Sequence, residues 1–210
     1  MPVVTALRSA RAGRLAVEID GETAFTVSQS LVARRRLHVD RELDRDELAA
    51  LARDAGCEAA LADAHRLLAH RSRSRRELED RLAAKGHATE IVERTVEGLE
   101  GDGLLDDAAF AAALVADKRR LAGWGRTRIA AELAKRGVDR RLADAALGPD
   151  DRGEEVERAL AVLVRRRVDD PRAERERKRA FDALRRRGFS TAVAYEAVDR
   201  WGHADESGEA

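Results

Sequence analysis

Three glycines, Gly86, Gly137 and Gly188, stand 51 residues apart, and the residues around them repeat in register. Four before each stands Leu82, Leu133 or Leu184; five after stands Ile91, Leu142 or Val193; ten after stands Val96, Leu147 or Val198. A leucine four residues back lies one helical turn away, on a face that has to be buried. The glycine suits the left-handed position that ends a helix. The residues at +5 and +10, joined by intermediates such as Ala145 and Ala194, give the apolar stripe of a following helix. Each unit also has an earlier helix, "CEAALADAHRLLAH", "AAFAAALVADKRRL" or "EEVERALAVLVRRRV". Three helices in roughly 50 residues bury too little surface to be comfortable alone, and tandem units that support one another are the natural solution.

The composition agrees with packed helices: charged residues make up 38% and aromatics only 3%, which leaves Leu, Val, Ile and Ala to build the core. The first 56 residues read differently. "VVTALRS" and "RLAVEID" alternate as strands, and Asp20-Gly21 between "VEI" and "ETAFTV" is a strong hairpin signal, since both central positions of a type I′ turn need φ > 0. Ser28 caps a short helix in "SQSLVARRR". Asp44 and Glu47 form a capping box for "DRDELAALARDAG", with Gly56 as its stop.

The expected architecture is mainly α. A small N-terminal β+α module with a three-stranded meander (1–56) precedes three-helix, helix-turn-helix-like repeats at 57–106, 107–150 and 151–202, which form an elongated curved body, and 203–210 is a disordered tail. Asp106 or Asp107 caps the first helix of the second repeat. Valine at any of the three repeat glycines is expected to be equally damaging.

Lys+Arg and Asp+Glu are both 40, so a uniformly cationic coat is excluded while local basic stripes are not. Three such stripes fall at corresponding places: "RSRSRR" (71–76), "KRRLAGWGRTR" (118–128) and 165–187. Their candidate binding residues are Arg71, Arg73, Arg75 and Arg76; Lys118, Arg119, Arg120, Trp124, Arg126 and Arg128; and Arg165, Arg166, Arg167, Arg175, Lys178 and Arg179. Gly123 and Gly125 read as a hinge around Trp124. Charge reversal at Arg126 and Arg128 is expected to remove binding without changing stability. The third helix of the first unit carries Glu90, Glu93, Glu97 and Glu100, which a phosphate backbone repels, and no third helix carries base-reading Asn or Gln. Any binding of single-stranded DNA is therefore weak and non-specific.

Enzyme chemistry finds no support. There is no phosphate loop and no HExxH, the five histidines are scattered, and a single Cys57 allows neither a disulfide nor a Cys-rich metal site. No catalytic residue, metal ligand or cofactor is expected. No apolar run approaches the ~18 residues of a membrane span, and a soluble cytoplasmic monomer is expected.

The phrases "RSRSRRELEDRLAAKG", "GLLDDAAFA", "KRRLAGWGRTRIAAELAKRGV" and "KRAFDALRRRGFS" resemble the RecX family, bacterial regulatory proteins that modulate the RecA recombinase. The G-x-G-x-x-R element (Gly123, Gly125, Arg128) between "LLDD" and "RGV" is fairly specific, and Val115 departs from the family, which often has an aromatic there. The resemblance implies a non-enzymatic protein that lies in the groove of the RecA–single-stranded-DNA filament. It would oppose filament growth, strand exchange, ATPase and coprotease functions, and so modulate recombination, repair and the SOS response. The competing reading is a repressor-like helix-turn-helix protein that binds DNA without RecA.

Overall fold

A computed structural model describes residues 1–165 and 171–203. The chain divides into two compact units, Met1–Leu105 and Asp106–Ala210. The expected tail beyond His203 lies outside the described residues.

In the first unit, β1 (Val4–Ser9), β2 (Arg14–Ile19) and β3 (Glu22–Ser28) pair antiparallel in the order β1-β2-β3. The β2–β3 turn has Asp20 and Gly21 at φ 51° and 87°, as the hairpin reading requires. Val4, Val17 and Val27 on one face of the sheet join Leu31, Leu43 and Leu51 in a closed core. Leu31 belongs to α1 (Gln29–Arg34), whose N-cap Ser28 accepts from the Leu31 N–H. Leu51 belongs to α2 (Arg45–His70), which opens on the capping box of Asp44 and Glu47.

Helix α2 corrects one expectation. It runs 26 residues through Gly56 without a break, so the boundary drawn between 56 and 57 falls inside a continuous helix. A glycine stop needs a left-handed backbone, and Gly56 has no positive φ. The residues beyond it, "CEAALADAH", are good helix formers. Gly56 lies beside Ile91, where a Cβ would make an ordinary 3.4 Å contact with the Ile91 side chain. The second half of α2 thus supplies the first helix of a three-helix unit completed by α3 (Arg75–Ala83) and α4 (Thr89–Gly101). Ala64, Leu78, Leu82, Val96 and Leu99 fill its core.

The second unit holds two further three-helix repeats. The helices α5 (Asp107–Arg120), α6 (Arg126–Lys135) and α7 (Arg140–Leu147) enclose Phe110, Ile129, Leu133 and Leu147. Asp106 is the N-cap of α5, accepting from the Ala108 and Ala109 N–H groups. The helices α8 (Arg152–Val164), α9 (Glu174–Arg186) and α10 (Thr191–His203) enclose Val156, Leu163, Leu184, Phe189 and Trp201.

The three repeats share one stop. Gly86, Gly137 and Gly188 have φ 90°, 73° and 86°. In each case the residue after the glycine donates its N–H to the leucine four before it: His87 to Leu82 (3.3 Å), Val138 to Leu133 (3.1 Å) and Phe189 to Leu184 (3.2 Å). These are Schellman closures, and all three leucines are fully buried. One detail of the stripe differs from expectation. Ala145 is exposed, and the +6 residues Val92, Ala143 and Ala194 are the buried ones beside +10, because +6 lies about one helical turn before +10 on the same face, whereas Ala145 lies two residues before Leu147, about 200° around the helix.

Candidate binding surface and the joint between the last two repeats

Helix α6 begins at Gly125, which has no side chain to cap it. The first N–H groups of a helix have no partner within it and must find one elsewhere. In α3 the Ser74 hydroxyl accepts from the Glu77 N–H, and in α7 the Asp139 carboxylate accepts from the Arg141 N–H. In α6 the partners come from the next repeat. The Gly125 N–H donates to the Arg187 carbonyl (2.8 Å), and the Thr127 N–H to the Gly188 carbonyl (3.2 Å), both at the end of α9. The Arg126 N–H donates to the Glu155 carboxylate of α8 at 2.9 Å. Glu155 is only 5% exposed.

The contact is too close for side chains. A Cβ on Gly125 would lie 2.5 Å from the Gly188 carbonyl oxygen, and one on Gly188 would collide with the backbone nitrogen and Cβ of Arg128. Gly123, at φ 60°, leaves no room beside Val162 of α8. The Gly-Trp-Gly segment is therefore a packed joint, and not the hinge that its glycines suggest.

Several candidate cations are consumed by the fold. Arg126 Nη1 donates to the carbonyls of Leu147 (3.3 Å), Gly148 (2.9 Å) and Pro149 (3.4 Å), and Arg119 Nη2 donates to Leu147 at 2.8 Å. Together they cap the C-terminus of α7, where the helix dipole favours cations. Burial lowers the Arg119 pKa, with Arg158 and Arg126 adding to it, yet a guanidinium stays charged. Arg128 Nη1 donates to the Arg186 carbonyl at 3.0 Å. Its guanidinium lies 4.0 Å from the centre of the half-buried Trp124 ring, and Lys118 Nζ lies 4.8 Å from the same ring. The expectation that Arg126 and Arg128 can be reversed at no cost in stability does not fit these contacts.

In the first unit, Arg71 grips Glu77 with both arms (3.0 and 3.1 Å), Arg73 donates to the Leu67 carbonyl, and Arg75 pairs with Glu79 and Glu100. Arg76 pairs with Asp80 on the surface. Arg179 pairs with Glu176 at 2.5 Å, and the exposed Arg120 stands 4.0 Å from Asp117. Arg165, Arg175 and Lys178 are exposed. Arg166 and Arg167 lie outside the described residues. On α4, Glu90, Glu93 and Glu97 are exposed.

One residue of the joint carried no signal in the sequence. Glu155 is one acid among several at the start of α8, and neither spacing nor composition distinguishes it. Among the described residues no group of three His, Cys, Asp or Glu side chains could hold a metal ion, and no helix is long and apolar enough to cross a membrane.

Tandem three-helix units with a common stop, two of them joined end to end through backbone groups, define a helical-repeat protein. Comparison with known families refines this. Residues 60–99 match the model of the first three-helix domain of RecX, and residues 106–147 match that of its second. The chain is 41% identical over 140 residues to the regulatory protein RecX of Mycobacterium ulcerans, covering 63% of this chain and 79% of that protein. It is 39% identical over 141 residues to that of Mycolicibacterium vanbaalenii, covering 63% and 77%. This chain belongs to the RecX family of regulatory proteins. A crystal structure of regulatory protein RecX superposes with a TM-score of 0.68 over 95% of this chain and 99% of that one, at 24% identity. RecX from Lactobacillus salivarius gives 0.59 over 70% and 96%, at 18% identity. These two likenesses show the fold.

Proposed function

We propose that this protein is a non-enzymatic regulator of RecA that binds the RecA–single-stranded-DNA filament in its groove. There it opposes filament growth and, with it, ATP hydrolysis, strand exchange and coprotease activity, thereby modulating recombination, repair and the SOS response. Membership of the RecX family is the observation that carries this reading. It acts in the cytoplasm as a monomer and needs no cofactor.

The arrangement of charge supports it. Arg120, Arg165, Arg175 and Lys178 remain exposed after the fold has used its internal cations, and such side chains suit a polyanionic filament. Direct binding to naked single strands is weak and indifferent to sequence. With 4–6 phosphate contacts the log–log salt slope is about −3 to −4. The exposed glutamates of α4 argue against a repressor-like mode in which every third helix enters a groove.

The test is the rate of ATP hydrolysis by RecA on single-stranded DNA, with this protein added well below the RecA concentration. A slowing at such ratios supports filament regulation. An unchanged rate, together with a footprint on one duplex sequence, would instead identify a DNA-binding repressor.

A further inference from the structure

We propose that Glu155, Gly125 and Gly188 are positioning residues that lock the second and third repeats into one rigid binding body. The exposed cations of the two repeats, Arg120 on α5 and Arg175 and Lys178 on α9, then meet the filament at a fixed spacing. The binding part of this proposal rests on the reading of a RecA filament regulator; the lock itself rests on geometry alone.

Independent units on tethers would each satisfy their own helix ends, as α3 does through Ser74 and Glu77. Helix α6 does not. Its unpaired donors at Gly125 and Thr127 are matched to the unpaired acceptors of α9 at Arg187 and Gly188. The positive end of one helix thereby meets the negative end of another. Glu155 adds a buried carboxylate to the same positive end through the Arg126 N–H. Rotating one repeat against the other breaks all three bonds together and strips Glu155 of that donor, a costly state for a buried charge. The two glycines permit the approach, since a methyl on either would meet backbone at about 2.5 Å.

A helical polymer offers its sites at one repeat distance. A pair of repeats held at a set spacing engages two of them without ordering a linker on binding, and that raises affinity with no added contact. Basic side chains far from the joint, such as Arg175 and Lys178, then depend on a carboxylate that touches no ligand.

The experiment uses the full chain and two substitutions, Glu155→Ala and Gly125→Ala, with Gly86→Ala as the control. Gly86 has open space around it, so a methyl there strains only the turn of the first repeat. Hydrogen exchange on the free protein reads the lock directly. In Glu155→Ala the amides of Arg126 and Thr127 are expected to exchange about 10-fold faster or more, with α8 to α10 still protected. Inhibition of RecA ATPase reads the consequence: about 10-fold more Glu155→Ala protein is needed for half-inhibition, while Gly86→Ala stays within about 2-fold. Gly125→Ala should match Glu155→Ala in both assays if it folds, and if it does not, Glu155→Ala decides alone. Unchanged exchange in Glu155→Ala overturns the lock. Faster exchange with undiminished inhibition overturns its role in binding. If the unsubstituted protein leaves RecA unaffected, the functional reading and the binding role fall together, and exchange still decides the lock.

Discussion

Gly125 and Gly188 meet backbone to backbone, so closely that a Cβ on Gly125 would lie 2.5 Å from the Gly188 carbonyl oxygen. The three repeat glycines, alike in backbone geometry, are therefore unlike in surroundings. Gly86 faces open space, and Gly188 faces Arg128. Alanine at Gly86 should cost about 1–2 kcal/mol for its left-handed backbone. Alanine at Gly188 should cost about 1–3 kcal/mol more, through overpacking against α6. Thermal melts of the two proteins check this, and equal losses would mean that the joint gives way freely.

Arg126 should prove a stability residue. Its guanidinium donates to the carbonyls of Leu147, Gly148 and Pro149 at the end of α7, whereas the bond to Glu155 comes from its backbone N–H and survives substitution. Hydrogen bonds from a charged donor contribute about 1.5–3 kcal/mol. Arg126→Ala should lower the denaturation midpoint accordingly, with the loss confined to the second unit. Arg126→Glu should do worse, because it sets an acid against the carbonyl end of a helix. A melting curve for Arg126→Ala that superposes on the unsubstituted one would contradict this.

A half-buried acid, Asp63, gives the first unit an acid limit. Burial alone would raise the Asp63 pKa, but hydrogen bonds from Arg66, His87 and Lys85 outweigh it and hold the carboxyl well below its ordinary range. A carboxylate with a depressed folded pKa contributes stability that is complete above its unfolded value, near 4, and is lost as pH falls below it. Stability of the first unit should therefore drop between about pH 4 and pH 2. Asp63→Asn should remove most of that slope and be less stable at pH 7. The check is chemical denaturation across this pH range.

Much of the fold was legible because periodic burial and helix ends leave marks in sequence. The leucine–glycine register, the Asp44–Glu47 box, the Ser28 and Asp106 caps and the Asp20-Gly21 turn all act through residues close together in the chain. Gly56 misled because a glycine that stops a helix and one inside a helix look the same in sequence, and only the backbone φ tells them apart. The joint was illegible for a related reason. Gly125 meets Gly188 across 63 positions, and nothing local says which arginine will spend its donors on a carbonyl and which will stay in water. Basic runs were easy to see; the division of Arg126 and Arg128 from Arg175 and Lys178 needed three dimensions.

That division supplies the most direct measurement. RecA hydrolyses ATP on single-stranded DNA while increasing amounts of the unsubstituted protein, or of Arg175→Glu combined with Lys178→Glu, are added at one salt concentration. Both side chains are exposed on α9, so the double reversal should shift stability by only about 0.5 kcal/mol per site. The expected result is strong inhibition below the RecA concentration by the unsubstituted protein. The double variant, equally folded, should need about 10-fold more for the same effect if both charges meet phosphates. Equal inhibition by the two proteins would contradict an electrostatic contact through α9, and inhibition by neither would contradict regulation of RecA.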